Sequence, residues 1–172
     1  MAKGLRGRLA ATLVLVTAAA ACGSNGGDPA TAGQPQGFDR VAVEVTTAEG
    51  VLCELCMWLA ESPAQRGRGL TEVTDLGPAD GMLFRWDEPA TSGFHMREVP
   101  IPLSIAWYGP DGSFVSTVEM APCTQEPLSD CPVYVAADSY TEAIEVPAGA
   151  LAELGIGPGS RLVVRDEPCP QA

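Results

Sequence analysis

The only histidine of the chain lies in a short segment with other side chains that could do chemistry. His95 stands in the stretch FHMREVP with Arg97 and Glu98, and Ser104 follows in the apolar run PLSIAWY. A Ser–His–acid hydrolase needs a histidine within hydrogen-bond reach of the serine and an acid, here Asp87 or Glu98, that orients the histidine. No Gly-x-Ser-x-Gly motif surrounds Ser104. The sequence therefore predicts no catalytic residues, and an extracytoplasmic hydrolase using His95 is the alternative.

A copper site is the next chemistry to consider, because imidazole and thioether groups are ligands that suit Cu(I). His95 is followed by Met96, and Met82 and Met120 lie in apolar strand patterns. Adjacent residues of a strand point to opposite faces, so His95 and Met96 cannot hold one ion together. Methionines in apolar strands are typical core residues. The sequence therefore predicts no metal and no cofactor.

A binding surface is the hypothesis that the aromatic and basic side chains favour. An exposed aromatic ring with an arginine nearby can hold a sugar or a peptide. Glu142 and Glu145 do not share a face at strand spacing, so they predict no pair of glycosidase carboxylates. The candidate ligand-binding residues are Arg97, His95, Trp86 and Arg66.

Alternating and capped segments predict the scaffold that positions these residues. Strand patterns occur in VAVEVTT, VLCELCMWLA, GMLFRW, TSGFHM, IPLSIAWYG, SFVSTVEM, DSYTEAIEVP and SRLVV. Ser62 followed by Pro63 predicts a short helix that Gly69 ends, and AGALAELG predicts another that ends at Gly155. We expect a mainly β (α+β) fold: a compact barrel-like or sandwich domain of seven to eight short strands with two short helices.

The N-terminal segment has the pattern of an export signal. Lys3, Arg6 and Arg8 precede a short apolar run, and small residues lead to Cys22. This order is typical of a secretory signal, and a cysteine directly after it is similar to a lipobox. We predict a lipoprotein signal peptide at 1-21, lipidated Cys22 with a flexible Gly/Pro/Ser linker at 22-37, and a single domain at 38-172. The predicted location is extracytoplasmic, on the outer face of the cell membrane.

The charge balance narrows the class of partner. Removing Lys3, Arg6 and Arg8 with the signal leaves 7 basic and 22 acidic side chains, so the net charge falls from −12 to −15. Nucleic-acid binding requires cations that neutralise phosphates. The predicted partners are therefore the membrane, through the lipid, and a sugar, a peptide or an envelope protein, but not nucleic acid.

Cysteine usage agrees with export, since disulfides form in oxidising compartments. Cys123 and Cys131 bracket a short Pro-rich loop and are predicted to form a disulfide. Cys169 is expected to pair with Cys53 or Cys56, and the sequence leaves both choices open. Cys53 and Cys56 lie three apart on a predicted strand, so they face opposite sides and should not bond each other. Five cysteines remain once Cys22 carries lipid, so one thiol is expected to stay free.

Five motifs in order resemble the domain of unknown function 192 family: WLAESPAQRGRGL, DGMLF, FHMREVPIPLSIAWYGPDG, APC…CPVY and AIEVPAGALAELGIGPGSRLVV. The family's usual Trp-Met-Lys-Asn-Thr and Pro-Leu-Asp read here as His-Met-Arg-Glu-Val and Pro-Leu-Ser. Arg66, Gly69 and Leu70 match its Arg-x-x-Gly-Leu-Met pattern, with Thr71 in place of the Met. The resemblance implies a compact, barrel-like β domain with short helices, and it implies no established activity.

These observations together predict an uncharacterised, lipid-anchored domain of the bacterial cell envelope. Its expected role is that of a non-catalytic binding or accessory module.

Overall fold

The computed structural model describes residues 33–165 and 167–169. Its elements, in chain order, are β1 (Asp39–Thr46), β2 (Leu52–Ala60), α1 (Pro63–Arg68), β3 (Gly81–Ala90), β4 (Phe94–His95), β5 (Leu103–Tyr108), β6 (Phe114–Met120), a 3-10 turn (Leu128–Asp130), β7 (Val133–Tyr134), β8 (Tyr140–Pro147), α2 (Ala150–Glu153) and β9 (Arg161–Val164). The expected mainly β domain with two short helices is confirmed. The two-residue strand β7 was not predicted, and TSGFHM forms a strand only at Phe94–His95.

The predicted signal peptide and lipidated Cys22 lie outside the described residues. The last five residues of the predicted linker are described, and they contact the domain. Gln34 is buried, and the Gly33 carbonyl accepts a hydrogen bond from the Thr74 N–H at 3.1 Å. Within the described part of the chain, every helix is too short or too polar to cross a bilayer.

Local signals in the sequence account for the first elements. β1 and β2 form an antiparallel hairpin in which Thr46 lies opposite Leu52, and Gly50 takes a positive φ of 80° in the turn. Ser62 caps α1, and the side chain of Gln65 bonds back to the Ser62 N–H, which completes a capping box. Gly69 ends the helix as expected.

Seven strands form one sheet in the order β6-β5-β8-β3-β2-β1-β9. The expectation of a β-barrel is wrong, because this sheet is not closed. Its edge strands approach each other only at one corner, where Ser113 and Arg161 form an isolated bridge and Phe114 N–H donates to the Ser160 carbonyl at 3.2 Å. A second, two-stranded sheet pairs β4 with β7. The alternative expectation, a sandwich-like domain, fits the arrangement.

Two hydrophobic cores cover the opposite faces of the large sheet. Met82 and Phe84 of β3 belong to one, which we call the Phe84 core, and Leu83 belongs to the other, which we call the Val43 core. Adjacent strand residues point to opposite faces, so this division follows from the pleat. The segment after α1 packs Leu70 and Val73 into the Phe84 core. The helix α1 is thereby held over that face of the sheet.

Two disulfides link described residues. Cys123 pairs with Cys131 across the Pro-rich loop, with Cα atoms 5.8 Å apart. Cys56, rather than Cys53, pairs with Cys169, with Cα atoms 5.5 Å apart. Cys53 is disulfide-bonded as well, so the expectation of one free thiol is wrong for the cysteines that the structure describes. Cys53 and Cys56 face opposite sides of β2, as their spacing predicts.

The disulfide from Cys56 to Cys169 should stabilise the fold more than the one from Cys123 to Cys131. It joins residues 113 apart in sequence, against 8 for the loop disulfide. In the chain-entropy model, closing the longer loop restricts the unfolded chain more. Replacing both Cys56 and Cys169 by serine should lower the free energy of unfolding by about 2–4 kcal/mol in denaturant titrations. The matched control replaces Cys123 and Cys131 by serine, and an equal or larger loss there would contradict the expectation.

Candidate functional site

A cleft of about 310 Å³ lies on the Phe84 side of the sheet. Four parts of the chain line it: α1 with the turn that follows, β3, the segment around β4, and one residue of β8. We call it the Arg66 cleft. The lining residues that matter for its chemistry are Arg66, Arg68, Leu70, Phe84, Trp86, Phe94, His95, Val99 and Glu145.

Arg66 is fixed at the edge of the cleft by contacts in three directions. One of its guanidinium nitrogens donates to the carbonyl of Arg85 at 2.9 Å and to the carbonyl of Glu61. The centre of the guanidinium lies 5.0 Å from the centroid of the Trp86 ring, at cation–π distance. The capping box at Ser62 sets where the first turn of α1 begins, and so aims this side chain.

Aromatic rings make up the wall beside Arg66. Trp86 meets Tyr140 edge to face, with ring centroids 5.0 Å apart, and meets Phe94 at 6.1 Å. Phe94 in turn meets Phe84 at 5.1 Å. The Tyr140 hydroxyl donates to the Ser92 carbonyl at 2.5 Å, and burial raises the pKa of Tyr140 against the opposing effects of Ser92 and the Arg66 charge. These contacts hold the wall in one geometry.

Glu145 is the unusual member of the cleft. It lies in the middle of β8, opposite Met82 of β3 and Ile105 of β5, and only 5% of its surface is exposed. Its side chain has no hydrogen-bond or ion-pair partner among residues 33–165 and 167–169. Burial alone raises the pKa of Glu145 to about 8. At neutral pH the floor of the cleft therefore carries a protonated carboxyl group.

The structure brings three of the four predicted ligand-binding residues together. Arg66, Trp86 and His95 line the cleft, and Arg97 does not. Arg97 forms an isolated bridge with Cys123, and its Nε is buried without a partner among the described residues. His95 is exposed on β4, while Met96 is buried in the Phe84 core, so the two side chains diverge as strand alternation predicts.

Ser104 has a structural role. Its hydroxyl donates to Glu119 at 2.6 Å and accepts the N–H of Gly149 at 2.9 Å. On β5, Ser104 alternates with Leu103 and Ile105 of the Phe84 core, so it faces away from the side of the sheet that carries His95. The Ser104–His95 pair that a hydrolase would need is not assembled.

A larger cavity, of about 650 Å³, lies between residues 74–80, 101–102 and 146–154. Two of its three acidic side chains, Asp75 and Asp80, accept hydrogen bonds from backbone N–H groups, and the third acidic residue is Glu153. Asp75 accepts the Gly77 N–H at 2.8 Å, which lowers the pKa of Asp75, and Asp80 accepts the Cys56 N–H at 2.7 Å. Burial raises the pKa of Asp80 despite that bond. The described residues contain no group of three or more His, Cys, Asp and Glu side chains placed for a metal.

Sequence reasoning missed Glu145, although a signal for it exists. Glu145 stands between Ile144 and Val146, and a central strand buried on both faces reads as a nearly continuous apolar run. An acid inside such a run is the anomaly. The pattern of DSYTEAIEVP predicts a strand, but it does not specify whether both faces of that strand are buried.

The DUF192 family model, described as an uncharacterized ACR, matches residues 44–164. The chain belongs to the DUF192 family. No curated protein matches it.

Two solved structures resemble the DUF192 domain described above. One is a proposed transcription regulator from Sinorhizobium meliloti, which is 26% identical with a TM-score of 0.66 and covers 74% of this chain and 95% of its own. The other is a protein of unknown function from Novosphingobium aromaticivorans, which is 30% identical with a TM-score of 0.63 and covers 74% of this chain and 87% of its own. Both support an uncharacterised domain with a shared fold.

Some residues of the DUF192 motifs support the backbone of this chain, and others line the Arg66 cleft. Glu98, where the family usually has Asn, adopts a positive φ of 56°, a conformation in which Asn is favoured. Ser104, where Asp is usual, supplies the acceptor for the Gly149 N–H, which a carboxylate can also supply. Arg66 and His95, from two separate motifs, both line the cleft. The DUF192 hallmark therefore builds both a corner of the fold and one side of a cavity.

Glu145 should make the stability of the protein depend on pH. Its pKa is about 8 in the fold, against an ordinary value of 4.5, so the native state holds a proton that the unfolded chain releases above pH 4.5. The stability associated with Glu145 is therefore fully present below pH 4.5 and is lost as the pH rises through 8. Glu145→Gln should gain stability relative to the wild type over this window, on the order of 4 kcal/mol.

The measurement is the free energy of unfolding in denaturant at pH 5 and pH 8, with disulfides intact. Glu54→Gln, at an exposed position of β2, is the control and should show no such gain. A stability difference between Glu145→Gln and the wild type that is the same at both pH values would contradict the expectation.

Proposed function

We propose that this DUF192 domain is a non-catalytic binding module of the cell envelope, and that its ligand is a small organic molecule held in the Arg66 cleft. The observation that carries the proposal is the convergence of Arg66, the aromatic wall and a buried acid on one cavity. Small-molecule sites are concave and mostly apolar, with a few placed polar groups, and their volumes begin at about 300 Å³. The cleft meets this description at the lower end of the range.

The aromatic wall of the cleft makes a sugar a less suitable ligand. A sugar ring stacks on an open aromatic face, but Arg66 lies over the Trp86 ring and Tyr140 and Phe94 meet it edge to face. Trp86 therefore offers little free face for stacking. The cleft therefore favours a ligand that does not need an open aromatic face.

The envelope location rests on the N-terminal sequence. A basic segment, an apolar run and Cys22 suggest export and lipid anchoring, and the disulfides suit an oxidising compartment. The relative from Sinorhizobium meliloti is described as a proposed transcription regulator. A net charge of −12 over the whole chain disfavours contact with DNA phosphates, so we do not extend that role to this protein.

Binding in the cleft should depend on Phe94. The probes are N-acetylglucosamine, L-leucine, N-acetyl-L-leucine and dialanine, tested by ligand-observed NMR and calorimetry on the folded protein. At least one should bind, and Phe94→Leu should weaken it about tenfold, because aromatic anchors dominate small buried sites. Phe114→Leu is the matched control, since Phe114 packs against Tyr108 in the Val43 core. Equal effects of the two variants would argue against the cleft as the site.

Intact mass spectrometry tests the anchor. Protein expressed with its own signal and purified from membranes should begin at Cys22 and carry acyl chains. An unacylated mass, or a mature chain that begins at a residue other than Cys22, would contradict the anchor.

A further inference from the structure

Glu145, at the floor of the Arg66 cleft, is a buried acid without a hydrogen-bond partner or a paired cation in the described part of the chain. A carboxyl group removed from water is normally hydrogen-bonded or paired with a cation, because burial without a partner is costly. Glu145 is 95% buried and has no such partner in the described part of the chain. Its side chain shares the sheet face of Ala143 and Phe84, which is the face that the cleft overlies. A ligand group entering the cleft can supply the missing partner.

The surroundings of Glu145 favour a cationic group at the floor. The residues opposite it on the neighbouring strands are Met82 and Ile105, and Leu70 and Val99 line the cleft from the covering segments. None of these four side chains carries a charge or a hydrogen-bond donor. The rings of Phe84, Trp86 and Phe94 stand in the same cavity, and aromatic faces attract ammonium groups. An ammonium group would therefore meet both a carboxylate and aromatic faces.

The edge of the cleft carries positive charge, whereas the floor carries the acid Glu145. Arg66 and Arg68 both line it, in a chain whose net charge is −12. The Arg68 guanidinium lies 4.3 Å from the Phe38 ring centroid and donates to the Gln36 carbonyl. Each arginine bonds only to backbone carbonyls, so neither positive charge is neutralised by an acid through these bonds. Arginine is well suited to bind a carboxylate.

We propose that the Arg66 cleft binds a free, zwitterionic amino acid, with its ammonium group at Glu145 and its carboxylate towards Arg66. This inference rests on the proposed function and specifies its ligand class. The ammonium donates N–H groups to the Glu145 carboxylate, and the aromatic wall packs against the ligand side chain. A cavity of about 310 Å³ has room for a small molecule of this kind but not for a long peptide.

Protonation of Glu145 gives the proposal a specific signature. Because burial raises its pKa to about 8, an ammonium ligand that arrives at pH 7 displaces a proton from the carboxyl group. The affinity should then rise with pH, by up to about tenfold per unit, between pH 6 and 7.5. The charged and titratable groups that line the cleft with Glu145 are Arg66 and Arg68 from the α1 segment and His95 from β4. Tyr140 contacts the wall from β8.

The experiment compares three related probes by calorimetry on the full folded protein. L-leucine has both charges, leucinamide lacks the carboxylate, and N-acetyl-L-leucine lacks the ammonium. L-leucine should bind most tightly, and N-acetyl-L-leucine at least about tenfold more weakly. Glu145→Gln should weaken L-leucine about tenfold, whereas Glu142→Gln, on the same strand but the other face, should not. His95→Gln should leave the pH slope in place.

Several results would overturn the inference. The first is that none of L-leucine, L-phenylalanine, L-lysine and L-glutamate binds at about 10 mM. The second is that Glu145→Gln leaves the affinity for L-leucine unchanged. The third is that the affinity for L-leucine falls as the pH rises to 7.5. If a sugar or N-acetyl-L-leucine then binds in a manner that depends on Phe94, the proposed function stands and only the ligand class is wrong. If no probe depends on Phe94, both are wrong.

Discussion

Burial of the large sheet on both faces is the constraint on which the rest of the structure depends. β8 lies between β3 and β5, with hydrogen bonds to each, and its successive side chains enter different cores. Ala143 belongs to the Phe84 core, and Ile144 belongs to the Val43 core. Six of the eight positions of β8 are buried, and a charged residue at a buried position must have a partner or stay neutral. Burial raises the pKa of Glu145 to about 8, so this residue is neutral at pH 7. A neutral, buried acid is the feature that distinguishes the Arg66 cleft.

Local structure was largely predictable from the sequence, and long-range pairing was not. The hairpin at Gly50 and the cap at Ser62 follow from signals within a few residues. β2 and β3, by contrast, run parallel, and a parallel pair needs a crossover connection that local patterns do not specify. That connection contains α1, so the position of Arg66 over the sheet is a consequence of topology. The position of His95 is also a consequence of topology, because only the fold brings its segment to the cleft that Arg66 lines.

The divergence of this chain from its family's usual motif is informative when each position is considered separately. Where Asp is usual, Ser104 keeps an acceptor for the Gly149 N–H, so the substitution preserves a backbone contact. Where Asn is usual, Glu98 keeps a positive φ that suits Glu less well. His95, by contrast, stands where the family usually has a larger ring, and it lines the cleft. Structural positions have thus kept their function, while a cleft position has changed its chemistry.

The charge arrangement in the cleft discriminates between ligand classes. A simple anion would meet Arg66 and Arg68 but would leave the acid at the floor without a partner. A simple cation would satisfy Glu145 but would pass two arginines as it entered. Like charges that must pass close together oppose binding, and an unpaired buried group reduces the gain from it. A molecule that carries both charges avoids both costs, and for this reason a zwitterion fits the cleft better than either kind of single ion.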